Sequence, residues 1–368
     1  VASIYKQNKL AFVVNLGTLV QPINMQDYTG NPALRPPQLF SHADQENLWH
    51  QANTNANSTL GWGGLCGDDL QSQGANNTSN PQLSLCVSVS GANRFEVGNV
   101  VVPYQMSSGG LTTLRGVCNP TCTGGASNNS LRNQALNDLL GATYANDFAS
   151  QYDAVFSRGR DLFAMLSPGL SGTTLTTAFP TTSLGNQLKI VAEMIKLSVA
   201  SNYASRQIYY VRLGTFDMHS GLMSSNAAST SDHAGMLTQV DDALGAFWTE
   251  MGVQGLQNSV TAFTASEFAR TLQSNGSGSD HGWGGVQFAF GGAVNGGKLY
   301  SDGLGKISGF PNQSLTAPNN FSRGQMIPGI SVDQYAATLA QWLGVSSTNL
   351  GTIFPNLHGF GTNNLGFI

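Results

Sequence analysis

Two hydrophobic patterns alternate along the chain and predict its secondary structure. Four segments place apolar residues at steps of three and four, which is the spacing of an amphipathic helix. They span residues 131–166, 188–199, 236–251 and 332–342. Four shorter segments are almost continuously apolar, as is typical of buried strands. They are Lys9–Leu16, Ile208–Leu213, Val260–Phe263 and Val286–Phe290. Strands that alternate with helices predict an α/β fold with a mostly parallel sheet covered on both faces.

The hydrophobic pattern weakens between residues 21 and 130. This region contains tracts rich in Gly, Asn and Ser, such as Gln71–Asn80 (QSQGANNTSN), and such a composition is typical of loops. Only short strand candidates interrupt it. We therefore predict a single domain over residues 1–368, in which residues 21–130 form a loop-rich, cysteine-containing insertion.

All four cysteines of the chain lie in this insertion. An even number of clustered cysteines predicts two disulfides, with Cys66–Cys86 and Cys118–Cys122 as the favoured pairs, although four cysteines allow three pairings. A zinc site is the alternative, but the spacings are not a good zinc pattern. Disulfides predict an exported protein in an oxidising location, either periplasmic or extracellular.

The composition excludes two classes of protein. Only 10% of the residues are charged, against about 25% in typical globular proteins, while 40% are hydrophobic, which indicates a folded chain with a neutral polar surface. A formal net charge of -4 and the lack of a basic patch argue against binding to nucleic acid. The longest apolar run, Leu10–Val14, is too short to span a bilayer.

Charged and imidazole side chains follow two of the predicted strands. Asp217 and His219 come after Ile208–Leu213, and Asp280 and His281 belong to the segment after Val260–Phe263. Ligands of open α/β sheets bind outside the carboxyl ends of the strands. Carboxylates and imidazoles are common ligands of divalent metals, so these four residues predict a metal site. The alternative is that the aspartates cap loops and the histidines are solvated.

Four further residues are candidates for the same site. Glu267 is a metal ligand, an acid or base group, or the cap of a helix over Phe268–Gln273. Arg270 either binds an oxyanion or pairs with Glu267 one helical turn away. His42 is a further candidate from the other side of the cleft, and His233 is another, for which a structural role is the open alternative.

Several longer segments resemble an uncharacterised family of exported bacterial proteins within the alkaline phosphatase/sulfatase superfamily. The matching segments include LAFVVNLGTLVQP, PPQLFSHADQENLW, GTFDMHSG, SEFARTLQSNGSGSDHGWGG and RGQMIPGISVDQYAATLAQWLGV. The resemblance runs from about residue 9 to the C-terminus. It implies an alkaline-phosphatase-like three-layer α/β/α sandwich and a twin-arginine export signal.

The same resemblance implies roles for the site residues. Asp217, His219, Asp280 and His281 would bind one or two divalent metal ions, such as Zn, Ca, Mg or Mn, with Glu267 in the place of an acidic ligand. Such families usually have a first strand with a glycine-rich segment that contains Asp and Ser, and that segment is not found in this sequence. We therefore expect the missing strand to come from an N-terminal fragment of the same precursor or from another protein subunit.

Two functions are compatible with these observations. The first is an exported, metal-dependent hydrolase that acts on a small phosphate or sulfate ester, with Arg270 stabilising the charge of the oxyanion. The second is a non-catalytic exported protein with a binding or structural role on the same fold. The function depends on whether residues 217–219 and 280–281 meet in one pocket.

Overall fold

The computed structural model describes residues 1–53, 58–79, 81–117, 128–224, 229–301 and 309–368. Its α-helices are α1 (Ala2–Lys6), α2 (Met25–Gly30), α3 (His42–Gln51), α4 (Trp62–Ser72), α5 (Asn128–Leu140), α6 (Asp147–Gly172), α7 (Ser183–Ser201), α8 (His233–Val253), α9 (Val332–Leu343) and α10 (Leu350–Ile353). Its strands are β1 (Leu10–Gly17), β2 (Cys86–Ser88), β3 (Tyr104–Gln105), β4 (Ile208–Tyr210), β5 (Thr261–Phe263), β6 (Ala269–Arg270), β7 (His281–Gly282), β8 (Gly285–Gly291), β9 (Lys298–Tyr300), β10 (Asn320–Phe321), β11 (Gln325–Met326) and β12 (Ile330–Ser331).

The prediction of a mostly parallel sheet is wrong. The main sheet has the order β12-β1-β8-β5, and β9 also pairs with β1. β8 runs antiparallel to both of its neighbours, whereas β9 and β12 are parallel to β1. No helix lies between β5 and β8, so the chain returns without the crossover that a parallel pair would need. A separate sheet, β3-β2-β4, is parallel throughout.

Helices nevertheless cover the main sheet on both faces. Alternate residues of β1 point to opposite faces, so Ala11 and Val13 belong to one core cluster and Leu10 to the other. The first cluster includes side chains of α4 and α9, and the second includes side chains of α7 and α8. This α/β arrangement agrees with the predicted class, while the more specific alkaline-phosphatase-like fold stays a prediction.

The ends of the main helices follow from local side-chain caps. The Asp232 side chain accepts a hydrogen bond from the backbone N–H of Gly235 at the start of α8. Ser331 and Gln334 form a reciprocal capping box at the start of α9. The helix predicted over 131–166 is instead two helices, α5 and α6, because the chain turns between Gly141 and Asn146.

The cysteines that the structure describes are not paired. Cys66 in α4 and Cys86 at the start of β2 are free thiols, so the predicted Cys66–Cys86 disulfide is not formed. Both side chains are fully buried in the apolar core, and the Cys86 thiol donates a hydrogen bond to the carbonyl oxygen of Gly63 at 3.7 Å. Burial raises the pKa of both thiols, which keeps them protonated. Cys118 and Cys122 lie outside the described residues.

The region predicted as an insertion contributes to the core. Trp62, Phe95 and Val101 belong to the same buried cluster as β1 and α9. The division of the chain into one domain with an insertion stays a prediction. Among the helices described, none is both long and apolar enough to cross a membrane.

Candidate metal centre

The side chains of His42, Asp217, His219, Arg270 and His281 form one polar cluster, and they come from three parts of the chain that are far apart in the sequence. The segment after β4 brings Asp217 and His219, and His42 is the first residue of α3. β6 and β7 pair antiparallel, which places Arg270 directly opposite His281. Thr215, two residues before Asp217, has a φ of 76°, a backbone conformation that is unusual for a β-branched residue. Such local strain is most often found near functional sites.

Three imidazole rings point their Nε2 atoms at the carboxylate of Asp217. His42 Nε2 lies 3.1 Å from Asp217 Oδ2. The Nε2 atoms of His219 and His281 each lie 3.2 Å from Asp217 Oδ1, and they are 3.0 Å from each other. The ligand atoms of His42, Asp217 and His281 all lie within 4.8 Å of one another. The side chains predicted from the sequence therefore meet in one place.

The other nitrogen of each ring faces an oxygen atom. The partners are Glu267 Oε1 for His42 Nδ1 at 2.8 Å, Asp280 Oδ1 for His219 Nδ1 at 3.0 Å, and the carbonyl oxygen of Phe40 for His281 Nδ1 at 2.8 Å. Each acceptor favours a proton on Nδ1, and in that tautomer the Nε2 lone pair is directed at Asp217. Metal-binding histidines in proteins are held in the same way. The Asp217 carboxylate is an acceptor too, so without a metal ion it favours a proton on Nε2.

Two arginines pair with the two aspartates. Arg270 Nη1 donates to Asp217 Oδ1, and Arg323 Nη1 donates to Asp280 Oδ2. Arg323 is at the tip of the β10–β11 hairpin, whose Gln325 side chain donates to the carbonyl oxygen of His281 at 2.6 Å. Both guanidinium groups are partly exposed at the rim of the cluster. Each aspartate of the cluster is therefore paired with a guanidinium group at the rim.

The ring of Phe268 packs against two of the histidines. Its centroid lies 4.2 Å from that of His281 in a stacked arrangement and 4.7 Å from that of His42. These contacts, together with the hydrogen bonds to Nδ1, restrict the orientations of both imidazoles. Packing against Phe268 therefore helps to fix the positions of these two histidines.

Hydrogen bonds shift the pKa values of several members. The hydrogen bond to Glu267 is the largest cause that raises the pKa of His42, and Asp217 adds to it. Partial burial acts to raise the pKa of Asp217, but the hydrogen bond and charge of Arg270 outweigh burial and hold this pKa below its usual value. Hydrogen bonds from Asn275 and His219 lower the pKa of Asp280. Both aspartates are therefore carboxylates near neutral pH.

Several predicted roles differ from the observed contacts. Glu267 does not cap a helix over Phe268–Gln273, because this stretch contains strand β6 instead. Arg270 pairs with Asp217 and not with Glu267. Glu267 and Asp280 both hydrogen-bond the outer nitrogen of a histidine, which is a supporting position.

Of the two additional histidines predicted from the sequence, only one lies in the cluster. His42 is part of the cluster. The ring of His233 lies against that of Phe216, with centroids 6.3 Å apart, and within the described part of the chain it does not belong to a group of side chains that could hold a metal ion. Sequence reasoning missed Arg323 and the carbonyl oxygen of Phe40. A lone arginine in a turn and a backbone oxygen carry no local sequence signal, and only the folded chain brings them to the site.

Comparison with known proteins gives one match. Residues 199–309 match the model of a family described as "Protein of unknown function (DUF1501)". The matched segment contains Asp217, His219, Asp280 and His281, but neither His42 nor Arg323. No curated protein and no solved structure matches the chain. The match supports the predicted resemblance to a family of unknown function, while the alkaline phosphatase/sulfatase superfamily and the export signal stay predictions.

Replacement of Glu267 by glutamine is expected to lower the pKa of His42 toward the ordinary imidazole value, because glutamine keeps the shape of the side chain without its charge. In the metal-free protein, the stability that the raised pKa contributes is fully present below the unfolded-state pKa. It is lost as the pH rises through the folded-state pKa. NMR titration of the His42 ring measures this pKa directly. Glu193→Gln in α7 is the matched control, and an unchanged His42 pKa in Glu267→Gln would contradict the assignment.

Proposed function

We propose that the cluster binds a divalent metal ion through the Nε2 atoms of His42, His219 and His281 and the carboxylate of Asp217. The observation that carries this proposal is the approach of His219 Nε2 to His281 Nε2 at 3.0 Å. In the tautomers that carry the proton on Nδ1, two lone pairs face each other across this distance. Such an arrangement is unfavourable unless a cation, either a metal ion or a proton on one of the rings, lies between them.

The donor set favours a particular class of metal. Three imidazoles and one carboxylate suit Zn²⁺ and similar transition metals, which form sites with mixed nitrogen and oxygen ligands. Ca²⁺ and Mg²⁺ prefer oxygen ligands and fit this set less well. Of the metals expected from the sequence, zinc is therefore our first choice. Glu267 and Asp280 would support two of the histidines from outside, as carboxylates do in zinc enzymes.

The charges at the rim favour an anionic substrate. Arg270 and Arg323 present planar N–H donors beside the histidines, and such donors bind phosphate and sulfate groups well. The chemistry that the metal supplies is Lewis-acid polarisation of an ester oxygen. We therefore propose an exported hydrolase of a phosphate or sulfate ester. The resemblance to the alkaline phosphatase/sulfatase superfamily supports this proposal.

Metal reconstitution tests the proposal directly. We expect the metal-free protein to bind Co²⁺, seen as visible absorption bands of a site with nitrogen and oxygen ligands. We also expect it to hydrolyse an aryl phosphate or an aryl sulfate only when it is loaded with metal. An uncharged aryl acetate is the substrate control. His281→Ala should lose both properties, whereas His358→Ala, which removes an exposed histidine outside the cluster, should retain them. Failure of the wild-type protein to bind Co²⁺ would refute the proposal.

One observation favours the second function, that of a non-catalytic binding or assembly protein. Phe148, Tyr152 and Val155 occupy one face of the first half of α6 and are 83%, 66% and 68% exposed. Exposed apolar side chains that share a face often mark an interaction surface. Tight Co²⁺ binding without turnover of either anionic ester would support this function over hydrolysis.

A further inference from the structure

A guanidinium group is bonded to the oxygen atom that two of the histidines also approach. Arg270 Nη1 donates to Asp217 Oδ1, which lies 3.2 Å from both His219 Nε2 and His281 Nε2. A cation bound by these two rings would share Asp217 Oδ1 with Arg270. The arginine and the metal ion would then be two positive charges beside one carboxylate oxygen, so each opposes the binding of the other.

Arg270 is held in place from its other side. Its Nε donates to the Ser279 hydroxyl at 3.2 Å, and its Nη2 donates to the Ser279 carbonyl oxygen. The side chain is 23% exposed, and its backbone is paired with that of His281 in the β6–β7 ladder. When its bond to Asp217 is lost, the guanidinium stays beside the cluster. Its Nη1 donor is then available to another anion.

Arg323 occupies a different position. Its partner is Asp280, which lies outside the ring of Nε2 atoms around Asp217. Asp280 Oδ1 is bonded to His219 Nδ1 at 3.0 Å and to Asn275 Nδ2 at 2.9 Å. A metal ion bound at Asp217 would therefore not compete with the Arg323–Asp280 pair. Of the two arginines, only Arg270 is bonded to a carboxylate that would bind the metal.

We propose that Arg270 couples metal binding to the binding of a tetrahedral oxyanion such as phosphate. This inference rests on the proposed metal centre. In the metal-free protein Arg270 neutralises Asp217 and opposes the metal. With a metal ion bound, Asp217 would serve as its ligand, and Arg270 Nη1 would be available to donate to an oxygen of the oxyanion. The class of ligand follows from the planar donor set of the guanidinium, which fits phosphate and sulfate oxygens.

The coupling has a definite sign and is reciprocal. If phosphate strengthens metal binding, then the metal strengthens phosphate binding by the same factor. Without phosphate, loss of Arg270 removes a competitor and should tighten metal binding. With phosphate, loss of Arg270 removes the partner of the anion, so the strengthening disappears. A purely structural arginine would weaken metal binding in both conditions.

Titration of the metal-free protein with Co²⁺, with and without inorganic phosphate, tests this inference. For the wild-type protein we expect phosphate to tighten Co²⁺ binding by at least about fivefold, the lower end of common coupling factors. Arg270→Met should bind Co²⁺ at least about fivefold more tightly than the wild type without phosphate, and phosphate should add nothing. Arg206→Met is the control, because it also removes one positive charge but lies before β4, whereas the cluster residues Asp217 and His219 follow this strand. This variant should behave as the wild type.

Three outcomes overturn the inference. They are weaker Co²⁺ binding by Arg270→Met, a retained effect of phosphate in that variant, and no effect of phosphate on the wild type. Arg270→Lys covers the case in which the methionine variant does not fold; it should bind Co²⁺ as the wild type does, with a smaller phosphate effect. In the wild-type protein, Co²⁺ must tighten phosphate binding by the same factor by which phosphate tightens Co²⁺ binding. A wild-type protein that binds no Co²⁺ refutes the metal centre itself, which is a distinguishable failure.

Discussion

Asp217→Asn is expected to lower the affinity of the protein for Co²⁺ by more than about 100-fold, which exceeds the effect of replacing an outer partner of a metal ligand. The reason is the position of Asp217, whose two carboxylate oxygens lie within 3.2 Å of the Nε2 atoms of three histidines. Asparagine keeps the shape but loses the charge that would balance a divalent cation. The measurement is a Co²⁺ titration followed by visible absorption.

A graded series makes this result specific. Asp280→Asn changes a carboxylate that supports His219 from outside, so its affinity for Co²⁺ should fall by about 10–100-fold. Asp242→Asn removes an exposed carboxylate of α8 and should have no effect. Equal losses for Asp217→Asn and Asp280→Asn would mean that both carboxylates bind the metal, as the sequence suggested. Wild-type affinity in Asp217→Asn would refute the site.

Gly64→Ala is expected to destabilise the protein by about 3 kcal/mol, at the upper end of the cost of overpacking a core. A Cβ at position 64 in α4 would lie 2.1 Å from the carbonyl carbon of Val97 and 2.3 Å from the nitrogen of Gly98. These are backbone atoms, so no side-chain rotation relieves the overlap. The close approach is held by the hydrogen bond from Gly64 N–H to the carbonyl oxygen of Phe95 at 2.9 Å.

Urea unfolding of Gly64→Ala measures this loss. Gly245→Ala is the matched control, because Gly245 also lies inside a helix, α8, but among the described residues no atom outside the adjacent backbone of α8 lies within 4 Å of its added Cβ. Here the greater helix propensity of alanine should raise the free energy of unfolding by about 1 kcal/mol. Opposite signs for the two variants are the expected result. A stability of Gly64→Ala equal to that of the wild type would contradict the observed contact of α4 with residues 95–98.

The predictions from the sequence succeeded where a local pattern determines the structure. The helical spacing at 188–199, 236–251 and 332–342 is confirmed by α7, α8 and α9, and the apolar runs are confirmed by β1, β4, β5 and β8. They failed where distant parts of the chain decide. The direction of β8 depends on its pairing with β1, which is more than 250 positions away, and with β5. The spacing of Cys66 and Cys86 does not show whether a buried pair is oxidised.

The sequence by itself determined which segments supply the candidate site residues, since Asp217 and His219 follow one apolar strand and Asp280 and His281 lie in the segment after another. Only the tertiary structure decided which atoms they contact. It brought His42 to Asp217 across 175 positions, turned three Nε2 atoms inward, and placed Glu267 and Asp280 behind two of the rings. The physical reason is that the role of an imidazole or a carboxylate depends on the partner of each of its atoms. These partners come from contacts between distant segments, which no local pattern of residues encodes.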